Sequence, residues 1–243
     1  MRLYILFLAL LTTLTKCSIP PNFKRCLRKD PEFKKCYFEA AQFGITQLTK
    51  PYKSLDLPNL EPLYVPSLTI RDGGGAVAVE QNFKNCTLHG LTSMKLQHFD
   101  LDFEKKTLSA DGIVPKMVLK CQYQLEGKVL LLPVKGEGNS TITLTNFRSK
   151  HRSFYDEVVR NDKTYYTTAS VEMYSDAEHA HFYFDNLFGG NKELGDNVNS
   201  VINDNWKQVL DELNPVYNEI VEKVLTGMME KVWMKVSLEE LFD

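Results

Sequence analysis

The sequence predicts an α+β fold: a long C-terminal helix with a curved antiparallel sheet wrapped along it and a long apolar cavity between them. Three observations predict it. From Leu68 to Phe188 the apolar residues recur with a period of two, the signature of strands with one wet face. From Val198 to Trp233 they recur every three or four residues, giving one continuous stripe on a helix. That helix, about 40 residues at ~1.5 Å each, would reach ~60 Å. A compact chain of this size has a diameter of roughly 45 Å. The molecule is therefore expected to be elongated, with space between sheet and helix.

In chain order, Met1-Arg2 followed by the apolar run Leu3–Leu14 and the small residues Thr15 and Cys17 reads as a signal peptide over 1–17. A run of about a dozen apolar residues is too short to span ~30 Å of hydrocarbon, so stable membrane insertion is not expected. The remaining residues 18–243 are read as one domain in an exported protein.

The whole chain has 29 basic and 31 acidic side chains; losing Arg2 and Lys16 leaves 27 basic residues and a net charge of −4. No basic tract suits nucleic acid. Cys26, Cys36, Cys86 and Cys121 form an even set, which in an oxidising compartment points to disulfides. Cys26 and Cys36 flank a short loop and are expected to pair, pinning the new N-terminus. Cys86 and Cys121 either form a second bridge or remain as two buried thiols. Asn85-Cys86-Thr87 and Asn139-Ser140-Thr141 are glycosylation sequons, Asn139 falling in an expected turn.

Asp30-Pro31 starts a helix over Glu32–Leu48. Prolines 51, 58, 62 and 66 then make an extended crossing segment. The clearest strand is His98–Glu104, with Phe99, Leu101 and Phe103 on one face; Asp100, Asp102 and Glu104 form a solvated row on the other. After a Lys105-Lys106 turn, Met117, Leu119, Cys121, Tyr123 and Leu125 share a face. Gly127 marks the next turn, and further strands fit 129–134, 141–147, 165–174 and 179–184. Asp196 is expected to cap the final helix, which Pro215 should bend without ending it.

Catalytic motifs are absent: no G-x-S-x-G, no H-E-x-x-H and no phosphate-cradling G-x-x-x-x-G-K. Gly73-Gly74-Gly75 has no helix behind it and reads as a flexible turn. His179 and His181 share a strand face, but two ligands do not complete a metal site, so they are read as solvent-facing. No metal or cofactor is expected, and no enzyme.

Two long stretches carry a resemblance. Tyr123-Gln-Leu-Glu-Gly127-Lys-Val-Leu-Leu-Leu-Pro133-Val-Lys-Gly136-Glu-Gly138 is one. Leu187-Phe-Gly-Gly-Asn191-Lys-Glu-Leu-Gly195-Asp196-Asn-Val-Asn199, continuing through Asn203-Asp-Asn-Trp206 to Glu212-Leu-Asn-Pro215, is the other. Together with the Cys26–Cys36 pair around Asp30-Pro31 and the Leu57-Pro58…Glu61-Pro62-Leu63 segment, they resemble the takeout and juvenile hormone-binding protein family of insects. Where that family usually has Asp-Pro, this chain has Glu61-Pro62. It lacks the late cysteine pair of the hormone binders and looks closer to the takeout branch.

The resemblance implies a highly curved antiparallel sheet wrapped on a long helix and enclosing an elongated hydrophobic tunnel. It implies a secreted carrier of a small hydrophobic ligand, terpenoid, juvenile hormone-like or fatty-acid-like, with links to hormone transport, feeding, circadian output or chemosensory behaviour. The aromatic and methionine residues Phe99, Phe103, Met117, Tyr123, Trp206, Tyr217 and Met228 are the candidate tunnel wall, since such side chains give adaptable apolar contact. A competing reading is a secreted signalling or interaction protein acting through a cell-surface receptor, with the stripe only packed core.

Overall fold

The structure, a computed structural model, describes residues 19–20, 22–70, 75–130 and 132–243. The expected signal peptide over 1–17 lies outside these residues, as do Gly73 and Gly74 of the glycine run.

Helix α1 (Phe33–Gln47) begins where Asp30 ends the preceding turn: its carboxylate accepts the Glu32 N–H at 2.8 Å, and its carbonyl accepts the Phe33 N–H at 2.9 Å. Cys26 is bonded to Cys36 on this helix, tying down the segment before it. The proline segment is less extended than the sequence suggests. It contains a helical turn at Lys53–Leu55 and a cis Glu61–Pro62 bond, and it runs directly into strand β1 (Leu63–Ile70). Pro66 is accommodated there because β1 is an edge strand, where a missing N–H costs no central ladder bond.

Strands β2 (Val77–His89), β3 (Lys95–Asp102), β4 (Thr107–Val129), β5 (Leu132–Arg160), β6 (Lys163–Asp176) and β7 (His179–Phe184) complete one antiparallel sheet. The spine is the β4–β5 hairpin, paired from Val129↔Leu132 to Thr107↔Phe154. One end of it carries β2 against β4 and β7 against β5; the other carries β3 against β4 and β6 against β5. Between the two ends, Pro115 and Asn146 stand opposite each other outside the ladder, Asn146 with φ 46°. On one side of them Ala110 and Val114 face inward; on the other, Met117, Leu119 and Cys121 do. The inward parity changes in both strands at once, which keeps register while bending the sheet.

Three local expectations are corrected. Gly127 is not a turn but sits within β4, with φ 151°, and a Cβ there would lie 2.2 Å from the Ala78 carbonyl oxygen. The glycine is needed for close strand approach. Residues 148–160, not anticipated as strand, are the second half of β5. Asn139 lies inside β5 rather than in a turn, exposed, with its amide donating to Asp185 Oδ2 at 3.1 Å.

Cys86 is bonded to Cys121, deciding between the bridge and free thiols. It links β2 to β4 at the bulge between Lys84 and Thr87. Replacing both cysteines with alanine is expected to lower the unfolding free energy by about 3–4 kcal/mol, the loop-closure value for a separation of 35 residues. Urea denaturation of the purified protein measures it.

The final helix is also corrected. It divides into α2 (Lys192–Asp204) and α3 (Trp206–Trp233), broken at Asn205, while Pro215 lies inside α3 without ending it, as expected. The cap of α2 is Asn191, whose side chain accepts the Leu194 N–H at 3.1 Å; Asp196 instead pairs with Lys192. Asn205, in a non-helical conformation (φ −115°, ψ 25°), ends α2 and donates its side-chain amide to the Val201 carbonyl at 2.8 Å. Helix α3 lies along β6 and β7, and a short helix α4 (Leu238–Phe242), with a capping box between Ser237 and Glu240, closes the chain.

Candidate ligand-binding site

Helix α3 shows where its stripe meets solid core and where it does not. Val209, Leu210 and Leu213 are buried at 6% exposure or less. Further along the same stripe, Tyr217, Ile220, Val221, Val224, Leu225 and Met228 keep accessible surface. All but the first three of these nine, together with Leu210, line a cavity of about 600 Å³ between helix and sheet. A space of that size suits one lipophilic molecule.

The opposite wall comes from the inner faces of β1, β2, β4 and β5, including Leu68, Leu88, Met117, Leu119 and Leu144. Ala40, Ala41, Gly44 and Ile45 of α1 supply a third side that the sequence reading did not assign to the cavity. Small residues at these positions leave room where a larger side chain would fill it. Leu241 and Phe242 of α4 reach the wall as well. Phe242 belongs to an aromatic cluster with Phe33, Tyr37 and Phe103, ring centroids 5.2–5.8 Å apart.

Of the seven residues expected in the wall, Phe99, Met117, Tyr217 and Met228 line it. Three do not. Phe103 packs in the aromatic cluster, with the Arg28 guanidinium 4.7 Å from its ring centre. Tyr123 is buried in the packed core, its ring against Phe184 and its hydroxyl donating to the Asp185 carbonyl. Trp206 follows the break at Asn205 and lies against His179, ring centroids 5.0 Å apart. Periodicity identifies a face but not whether space or protein stands before it.

The cavity is largely apolar, with a few polar exceptions. The Tyr217 hydroxyl is buried without a hydrogen-bond partner, and burial pushes its pKa far above the usual phenol value. Tyr217→Phe is expected to raise the unfolding free energy of the unliganded protein by about 1 kcal/mol, because it removes an unsatisfied buried group. That is a rise of roughly 2–4 °C in thermal unfolding. Along β5, Ser149 and His151 face the cavity, and Ser153 and Tyr155 follow on the same face. These residues went unnoticed because inward polar side chains hide the period-two alternation that marks a strand.

The family model for haemolymph juvenile hormone binding protein matches residues 5–243, nearly the entire chain. The chain belongs to that family. It is a family of binding proteins for small hydrophobic ligands, and the fold is its lipophilic ligand-binding fold. Among curated relatives, the circadian clock-controlled protein daywake of Drosophila melanogaster is 25% identical over 236 residues, covering 93% of this chain and 89% of its own. Its counterpart in Drosophila yakuba is also 25% identical, over 235 residues. Among solved structures, takeout 1 of Epiphyas postvittana superposes with a TM-score of 0.79 at 23% identity, covering 90% of this chain and 99% of that one.

The juvenile hormone binding protein motifs now have physical reasons. Gly138 and Gly136 lie where the segment after β7 crosses β5: a Cβ at Gly138 would sit 2.0 Å from Asp185 Oδ1, and one at Gly136 3.0 Å from Leu187 Cα. Asp185 in turn accepts the Asn139 N–H at 2.6 Å. Asn199 and Asn203 of α2 bond the free edge of β7. The Asn199 side chain accepts from Phe184 N–H at 3.0 Å and donates to Phe184 O at 2.9 Å; Asn203 treats Phe182 the same way, at 2.8 Å for both. Two helix side chains thus stand in for a neighbouring strand. The motifs hold the scaffold, and none of these residues lines the cavity.

Proposed function

We propose that this chain is a secreted, non-catalytic carrier, residues 18–243 forming one domain that holds a small hydrophobic molecule in the cavity beneath α3. The cargo is terpenoid, juvenile hormone-like or fatty-acid-like. The role lies in hormone transport, feeding and circadian physiology, or chemosensation. The observation that carries the reading is the unfilled stripe of α3, where a 600 Å³ apolar space replaces packed core. Keeping that much apolar surface without contacts sacrifices packing stability that a protein acting through a receptor alone would retain.

Export is supported by the leader pattern in the sequence and by two disulfides, which persist in oxidising compartments. Among the described residues no helix is long and apolar enough to cross a membrane. Asn139 and Asn85 are both exposed, so each remains a proposed glycan acceptor; the Asn85 amide donates to Gln122 at 2.8 Å in this structure. Phe99, Met117, Tyr217 and Met228 are the proposed ligand contacts.

Two measurements test the proposal together. Native mass spectrometry of the secreted protein should find a co-purified lipid, and a fluorescent hydrophobic probe should bind and be displaced by long-chain alcohols or terpenoids. A protein that carries no lipid and binds no probe would refute the carrier reading.

A further inference from the structure

The cavity wall contains one buried imidazole whose role the fold does not explain. His151 is 8% exposed and lines the cavity from the inner face of β5. Its Nε2 is hydrogen-bonded to Ser153 Oγ, while its Nδ1 is buried with no partner among the described residues. A polar atom left in that state is costly to the empty fold, and a partner entering the cavity would remove the cost.

Resting on the carrier reading, we propose that His151 is the polar anchor of the cavity and selects ligands bearing an uncharged oxygen group, hydroxyl or carbonyl, on an otherwise apolar skeleton. The uncharged class follows from the surroundings. Among the described residues, charged side chains reach the wall only at Lys24, which is paired with Glu39 at 3.1 Å, and at Asp111. Neither offers a free cation for a carboxylate. Burial also holds the His151 pKa below the ordinary imidazole value, so the ring stays neutral near pH 7. A neutral imidazole with Nε2 committed to Ser153 presents Nδ1 either as an N–H donor or as an acceptor. A hydroxyl satisfies both tautomers; an ester carbonyl satisfies only the donor. Of the neighbouring polar groups, Ser175 Oγ is already bonded to Asn218. The Tyr217 hydroxyl is unpartnered as well, so the preference for an oxygen group should persist in Tyr217→Phe, and its loss there would overturn His151 as the anchor.

The test compares four probes of equal chain length by displacement of a fluorescent hydrophobic dye: hexadecane, 1-hexadecanol, methyl hexadecanoate and hexadecanoate. The wild-type protein should bind hexadecanol about threefold to tenfold more tightly than hexadecane, the range of one neutral hydrogen bond. In His151→Leu that preference should vanish, hexadecanol and hexadecane then binding alike. Methyl hexadecanoate reports the tautomer by siding with the alcohol or the alkane. Selective 15N labelling of histidine gives a readout in the unmutated protein: the His151 Nδ1 resonance should move with hexadecanol and not with hexadecane. Equal binding of alkane and alcohol by the wild type, a parallel loss of all probes in His151→Leu without a shift of the labelled nitrogen, or a preference for hexadecanoate would overturn the anchor. Failure of the wild type to bind any of the four would instead overturn the carrier reading on which it rests.

Discussion

Asn203→Ala is expected to lower the unfolding free energy by about 2–4 kcal/mol, an unusually large effect for one side chain that touches no ligand. The change leaves the Phe182 N–H and carbonyl without partners, and Phe182 is 2% exposed. Water therefore reaches these groups poorly, and each lost bond approaches the full desolvation cost of its group. The Asn199→Ala change exposes the same weakness one turn earlier, at Phe184. Thermal unfolding should fall by roughly 5–15 °C in either variant. Asn203→Asp is the sharper control. The carboxylate still accepts from Phe182 N–H but cannot donate to its carbonyl, so it should recover only part of the loss. If Asn203→Ala unfolds with the wild type, the helix does not guard the edge of β7.

The second large effect concerns ligand. Val221→Trp with Leu225→Trp places two bulky rings one turn apart on the cavity face of α3. Affinity for a hydrophobic probe should fall at least tenfold, because the rings occupy the volume the probe needs. Stability should change by less than about 1 kcal/mol or rise, since overpacking costs about 1–3 kcal/mol only where a core is already full. Titration of the dye and urea denaturation of the same preparation separate the two outcomes. A destabilised variant with unchanged dye binding would mean that α3 faces packed core and that the dye sits elsewhere.

Much of this architecture is legible in local pattern. Alternation along 98–104 and 117–125 places the right residues inward, because a strand with one wet face writes its burial directly into the sequence. The stripe from Val198 to Trp233 identifies the buried face of the helices for the same reason. Pattern fails where a side chain serves something other than its own burial. Ser149, His151 and Ser153 are inward and polar, so the second half of β5 resembles a loop. Asn205 interrupts the last helix without a proline or glycine to announce it, while Pro215 is tolerated inside α3. Asn139 carries a turn-forming residue type yet pairs within a strand, held by Asp185 from a segment 46 residues away.

The site divides along the same line. Phe99 and Phe103 share a strand face in the sequence, but only Phe99 meets the cavity; Phe103 is taken by Phe33, Phe242 and Arg28, which arrive from both ends of the chain. The sequence alone determined the fold class, the family motifs and the faces that turn inward, since these depend on residue periodicity and local chemistry. The tertiary structure decided the Cys86–Cys121 pairing, the break at Asn205, the share of α1 in the wall and the unpartnered His151 nitrogen. Each of these depends on which distant segments come to face one another, and a gap between them leaves no periodic trace in the chain that surrounds it.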